Sequence, residues 1–434
     1  MRRFLKLLSG IIIVLLIGGL VSLAVPPVRE RVFWHADQWR IRLQYALRPP
    51  EKEVFIPQEQ PRLTPTALNT EDGAAPEPSA TPLPTATLQP EVALDTPVPT
   101  PTPRVLPASV RLDGVKYFDQ HGLWNYCAPA NLAMALSFWG WNGDRTDVGK
   151  WVKPFEKDKN VMPYELADYV REQTQLSVIQ RYGGTLETLK TLISGGFPVL
   201  IEKGAYMTDL SGKVSWMGHY AVVNGYDDAK GEFLTQDSYY EANYPIPYQE
   251  LESQWRSFNF VFLVIYPPER ENEVLELLGP LADEEQALRQ ALARASDELY
   301  RLDGIDQFFA WFNRGTSMVG LKDFLGASAA YDEAFRLYPS LPETRRPWRM
   351  LWYQTGPYFA YYYTGRYADL QSLATQTIES ASEPYLEESF YWRAKAREAL
   401  GDTEGAIQDL KTSLQYHPNF SPSVAALQNL GVMP

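Results

Sequence analysis

Cysteine is almost missing from this chain: Cys127 is the only one among 434 residues. One thiol excludes an intramolecular disulfide framework and a cysteine-based zinc site. Histidine is scarce too. His35, His121, His219 and His417 are the whole set, so any imidazole partner for the thiol must come from four positions. Positive charge is not in excess. The net charge of −13 excludes a large basic face for nucleic acid. No G-x-x-x-x-G-K-[ST] run occurs, so no phosphate-loop ATPase accompanies the rest. No cysteine lies near the N-terminus, which excludes a lipoprotein anchor. Neither a cofactor nor a metal is expected.

Long apolar runs are equally rare, with one exception at the start. Arg2, Arg3 and Lys6 precede an apolar run from Leu7 to about Val25, long enough to cross a bilayer. Residues 1–27 are expected to be an uncleaved membrane anchor, with a signal peptide as the alternative. In 28–55, Val32, Phe33, Trp39, Ile41, Leu43 and Leu47 alternate with arginines. That pattern fits a helix lying on the membrane surface or a plain juxtamembrane helix. Residues 56–107 are rich in proline and threonine and cannot bury a core. They are expected to be a disordered, extended spacer.

Globular character begins near Val110. Helical spacing is expected over Ala130–Trp139, in "PYELADYVREQT", and in "TLETLKTLISGG", which Thr185 can cap. "FPVLIEKG" reads as a buried strand. "GHYAVVNGYDDAKGEFLTQDSY" reads as two strands joined by a turn, and "FVFLVIYPP" as a last strand. Residues 108–268 are therefore expected to form an α+β domain. From about residue 280 to 434 only helical patterns remain.

The thiol stands at a telling place. Cys127-Ala128-Pro129 opens a helix, and proline is favoured in a first helical turn. A thiolate there would sit at the positive end of the helix dipole, which lowers its pKa. His219 heads an apolar strand after a glycine, and Asp237 lies on the next strand, eighteen residues later. A thiol, a base and a group that orients the base are the parts of a nucleophilic site. Taken singly, each has a plainer reading: a small buried hydrophobe, a satisfied core histidine and a strand-end cap.

The stretches "NYCAPANLAMALSFWG", "GHYAVVNGYD" and "QDSY" together resemble the papain-like cysteine peptidases, in particular the bacterial group that includes the double-glycine leader peptidases of bacteriocin exporters. The resemblance covers roughly residues 112–266. It implies that Cys127 is the nucleophile, His219 the base, Asp237 the residue that orients the histidine, and Gln120 a donor to the oxyanion. Two departures stand out. Ala128 occupies the position of a common glycine, and would be restricted if that backbone needed an unusual φ. Gln120 lies seven residues before Cys127 rather than six, so "HGLWNY" must absorb one residue. His121, beside Gln120, is an alternative imidazole, though too local in sequence for the family's geometry.

In the C-terminal part, Trp311, Gly315, Phe324, Ala327, Tyr331, Ala334 and Pro339 share their offsets with Phe390, Ala394, Thr403, Ala406, Leu410, Ser413 and Pro418. Tyr361, Gly365, Tyr367, Leu370 and Ala374 form a looser copy between them. This resembles the tetratricopeptide repeat over about 308–420, which implies an all-α solenoid that binds a protein partner. Helices near 281–302 and 421–430 would cap its apolar ends. The tyrosine-rich "GPYFAYYYTGRY" could line a groove or fill helix interfaces.

The combined expectation is a membrane-anchored, extracytoplasmic thiol peptidase acting on peptide or amide bonds. Its partners would be a peptide or protein substrate, a protein held by the repeats, and the membrane through the N-terminal helix. The alternative is a catalytically degenerate peptide-binding or scaffold protein.

Overall fold

The computed structural model describes residues 25–58, 105–209 and 211–434. The apolar run of the expected anchor and nearly all of the proline-threonine spacer lie outside these residues. Among the described residues, no helix is long and apolar enough to cross a membrane.

The first described element is α1, Pro26–Leu47. It does not stand apart from the body. Ile41 is buried, and Trp34 meets Trp124 with ring centroids 4.4 Å apart. Arg40 pairs with Glu383 at 2.5 Å, and Lys157 with Asp37 at 2.7 Å. The apolar residues of this segment therefore divide. Ile41 faces the protein, while Val32, Phe33, Trp39, Leu43 and Leu47 remain exposed. The chain stays attached up to the edge of the spacer, where Phe55 is buried and the Gln58 N–H donates to Asp369 at 2.8 Å.

Seven strands then form one antiparallel sheet: β1 Ser109–Arg111, β2 Ser177–Arg181, β3 Val199–Thr208, β4 Val214–Asp227, β5 Glu232–Gln236, β6 Tyr244–Pro247 and β7 Phe262–Tyr266. Their order is β2-β7-β3-β4-β5-β6, with β1 alongside β4. Both faces are covered. The helix α2, Cys127–Phe138, is buried nearly all round and packs on one face of the sheet with Leu200, Tyr220 and Val222. The other face holds α5, Leu186–Ser194, through Leu189, Leu192 and Ile193. Between these helices come α3, Arg145–Val152, and α4, Pro163–Gln173. Thr185 caps α5 by accepting from the Thr188 N–H at 3.0 Å. Strands buried on both sides explain why "FPVLIEKG" and "FVFLVIYPP" read as continuous apolar runs.

Beyond β7 the structure is helical. After α6, Tyr248–Arg256, which precedes β7, come α7 Glu271–Leu278, α8 Glu284–Glu298, α9 Gly304–Gly320, α10 Phe324–Leu337, α11 Met350–Tyr353, α12 Gly356–Tyr363, α13 Tyr367–Ser380, α14 Glu387–Ala399, α15 Thr403–Tyr416 and α16 Ser421–Asn429. Gly315 shows why a small residue recurs here. A Cβ on it would lie 2.6 Å from the Tyr331 ring of the next helix. Tyr358 and Tyr361 are fully buried and fill helix interfaces, Tyr362 and Tyr367 are half-buried, and Tyr363 is exposed.

The sheet region and the helical region share apolar cores. Trp216, Phe258 and Val261 pack with Phe308, Phe309 and Tyr331. Val274, Leu278 and Ala287 join the sheet's own core. The described parts are joined by packed side chains, not by an open linker.

Candidate active site

Cys127 is the first helical residue of α2, so its N–H has no intrahelical acceptor and the helix dipole points at its side chain. Ala128 follows in ordinary helical backbone and is absent from the positive-φ positions. The methyl group therefore costs no strain, and it packs into the core beneath the helix. The loop "HGLWNY" turns through two left-handed positions, Gly122 at φ 86° and Asn125 at φ 49°.

His219 sits on β4 opposite Lys203 of β3. Asp237 directly follows β5. The β4–β5 register shifts between Val223 and Gly225, an extra residue inserted at Asn224. Side chains alternate faces along a strand, so a one-residue shift changes which residues share a face. Val222 pairs with Gln236 beyond the bulge, which puts Asp237 on the face of His219. Without it, Asp237 would fall on the opposite face. The bulge is held by Asn224, whose carbonyl accepts from the Leu112 N–H at 2.7 Å and whose Nδ2 donates to the Leu112 carbonyl at 3.2 Å.

His219 Nε2 lies 2.7 Å from Asp237 Oδ1, with both side chains buried. Nδ1, the other ring nitrogen, is buried without a formed hydrogen bond, yet the ring interacts electrostatically with the Cys127 thiol. A contact looser than a hydrogen bond is usual in a ligand-free site and tightens with substrate. Burial opposes ionisation of Cys127, but His219, the Tyr220 backbone and Lys153 outweigh it, and the thiol pKa is lowered. Burial alone would depress the His219 pKa, but Asp237 and then Cys127 reverse this and raise it to about 9. The Asp237 carboxyl is desolvated, but His219 and Lys203 hold it well below the usual carboxylate range. These shifts favour a thiolate–imidazolium pair near neutral pH.

Gln120 is positioned by residues that the sequence patterns did not single out. Its N–H donates to the Ser238 carbonyl at 3.0 Å, and its Oε1 accepts from Ser238 Oγ at 2.7 Å. Ser238 Oγ in turn accepts from Asn131 Nδ2 at 2.7 Å, and that same amide donates to the Cys127 carbonyl at 2.9 Å. This relay engages the oxygen end of the Gln120 amide and leaves its N–H2 end for the pocket. Asn131 and Ser238 are fully buried. Their signal in the sequence was only position: one helical turn after Cys127, and next to Asp237. Asn125 uses its amide elsewhere, donating to the Asp158 carbonyl at 2.7 Å. His121 is exposed and pairs with Asp119 at 2.5 Å, so it is not the imidazole beside the thiol.

Lys203 was also missed. Its Nζ lies 3.5 Å from Asp237 Oδ2 and donates to Gln254 Oε1 at 2.9 Å. Glu202, buried beside the site, has its pKa pushed well up by burial and by Cys127.

These groups open into a cavity of about 260 Å³. Gln120, Cys127, Glu202 and His219 lie on its walls. The far side comes from elsewhere in the chain: Trp34, Ile41 and Tyr45 of α1, and Arg349, Trp352 and Tyr353 around α11. An amide N–H2 at Gln120 and the Cys127 N–H can both stabilise negative charge on a carbonyl oxygen attacked by the thiolate. Gln120→Ala is expected to lower turnover roughly 100- to 1,000-fold, the usual cost of one such donor. Alkylation of Cys127, which develops no oxyanion, should be unchanged. Equal loss of both rates would make Gln120 a prop for its loop instead.

A crystal structure described as that of a C39-like peptidase from Bacillus anthracis is similar at 17% identity, covering 36% of this chain and 96% of that one, with a TM-score of 0.30. No curated protein matches the chain. Residues 112–262 match the Peptidase C39 like family, a span that holds strands β2 to β6, Gln120, Cys127, His219 and Asp237. By that match, the segment has a cysteine peptidase-like fold of the C39-like kind, and it is followed by a helical C-terminal region.

Proposed function

We propose that the protein is a thiol hydrolase that cleaves peptide or amide bonds, with Cys127 as nucleophile, His219 as base and Asp237 as its orienter. The observation that carries this reading is the buried His219–Asp237 pair at 2.7 Å, with the other imidazole nitrogen left unbonded on a ring that interacts with the thiol. Thiolate attack on the scissile carbonyl would give a tetrahedral oxyanion held by Gln120 and the Cys127 N–H. The His219 imidazolium would then protonate the leaving amine, and water activated by His219 would release the acid. The test is turnover of a fluorogenic peptide library by the full chain, before and after iodoacetamide treatment. Turnover that is abolished by the treatment is expected; turnover that survives would remove the thiol mechanism.

The second reading is a peptide-binding protein without turnover. It is favoured by the far wall of the cavity, where α1, Trp352 and Tyr353 enclose a space of about 260 Å³. Saturable peptide binding with no cleavage of the library would support it.

The helix pairs α9–α10, α12–α13 and α14–α15 are proposed to be tetratricopeptide repeats that engage a protein partner. Residues 7–25 are proposed to anchor the chain in the membrane, with the residues after the anchor outside the cytoplasm. The leading Arg2, Arg3 and Lys6 support that orientation. A phosphatase reporter fused after residue 108 should be active only when exported. Activity of a cytoplasmic reporter alone at that point would reverse the orientation.

A further inference from the structure

We propose that Asp158, Glu387 and His417 bind a first-row divalent cation of the Mn2+ or Zn2+ kind, with Glu165 and Glu388 completing its surroundings. Asp158 lies between α3 and α4, and Glu165 in the first turn of α4. Glu387 and Glu388 open α14, and His417 ends α15. The site thus lies where the sheet region meets the C-terminal helices. One ligand atom each from Asp158, Glu387 and His417 falls within 4.8 Å of the others. His417 Nδ1 is 3.0 Å from Glu387 Oε1 and 3.8 Å from Glu165 Oε1. Two donors at right angles on an ion, each about 2.1 Å from it, stand about 3.0 Å apart.

The orphaned oxygens are the independent pointer to a ligand. Glu387 is 1% exposed and its Oε2 has no hydrogen-bond partner; Glu388 is 6% exposed and its Oε1 has none. Asp158 and Glu165 are buried as well. Four carboxylates buried together, two of them with an unpaired oxygen, are costly without a cation. Of the nearby lysines, Lys153 donates its Nζ to the Trp124 and Asn125 carbonyls and reaches Asp158 and Glu387 only through space, and Lys159 lies 4.0 Å from Glu383. Imidazole together with carboxylates suits Mn2+ or Zn2+ better than the oxygen-only preferences of Ca2+ and Mg2+.

The site also touches the thiol loop. The Asp158 carbonyl holds the Asn125 amide, two residues before Cys127. An ion there would tie the C-terminal helices to the loop that carries Gln120 and Cys127.

The test uses the full chain carrying Cys127→Ser, so that the thiol cannot itself bind metal. After chelation and dialysis, the protein is reloaded with MnCl2 or ZnCl2, and metal content and melting temperature are measured. About one ion per chain is expected, with a melting temperature raised by several degrees at a hundredfold excess over Kd. Glu387→Gln should lose the ion and the thermal response. The same substitution should raise the melting temperature of the metal-free protein, because it removes one of the crowded carboxylates. Uptake of neither ion by the parent chain, or uptake unchanged by Glu387→Gln, would overturn the proposal.

Discussion

Cys127→Ser and His219→Ala should each lower turnover on the order of 10⁴-fold or more, because nucleophile and base act as a unit. They should differ in every other respect. Serine preserves the volume of the thiol, so Cys127→Ser should melt close to the parent. His219→Ala leaves the Asp237 carboxylate and the Lys203 ammonium facing each other in a cavity, and should cost some stability. In His219→Ala the thiol remains, and alkylation at pH 6 reads its ionisation directly. The parent should react fast there, since the thiol pKa is lowered; the variant should be slow, since the cation that lowers it is gone. The pH profile follows with the same signs. Turnover should rise as the thiol ionises below the free-cysteine value of about 8.5. It should fall as His219 loses its proton near pH 9. For stability, a raised histidine pKa contributes fully below about 6.5 and is lost as pH passes through about 9. Equal alkylation rates at pH 6 in parent and His219→Ala would show that the imidazole does not activate the thiol.

Asp237→Ala should be the most damaging single change to the fold near the site. Asp237 is fully buried between His219 Nε2 at 2.7 Å and Lys203 Nζ at 3.5 Å. Removing it leaves the Lys203 ammonium desolvated, held by one hydrogen bond to Gln254 and the Tyr240 ring. Breaking a buried pair in this way typically costs ~3–5 kcal/mol, most of it the unpaired charge rather than the lost contact. Lys203→Met in the same chain removes that charge and should recover most of the stability. Activity should not recover, because the imidazole still lacks the group that sets its tautomer. Urea unfolding of parent, single and double variants measures the coupling. If Asp237→Ala is no less stable than the parent, or if Lys203→Met fails to compensate, the pair does not carry the charge balance assigned to it.

The α+β character of 108–268, the turn between β4 and β5, and the helix that Cys127 opens were all legible as local patterns. The rarity of thiol and imidazole narrowed the candidates further, since four histidines leave few pairings. Local pattern could not reach the features that make the site a site. Asp237 shares a face with His219 only because one residue is bulged out at Asn224, and a strand's periodicity does not announce where it will slip. Lys203 reads as an ordinary strand residue until the β3–β4 register sets it opposite His219. Asn131 and Ser238 gain meaning only when α2 meets the end of β5 and the two bond to each other. The same holds at larger scale. The arginine-laced segment after the apolar run reads as a membrane-proximal helix, and nothing in its pattern shows that one side of α1 forms a wall of the thiol cavity. The carboxylates at 158, 165, 387 and 388 are far apart in the chain, and their crowding with His417 exists only where the sheet region and the last helices pack together. Residue type and spacing determine which elements form and which chemistry is available. Register, bulge and long-range packing determine which of those groups meet, because contacts between distant residues are set by how whole elements fit and not by their neighbours in sequence.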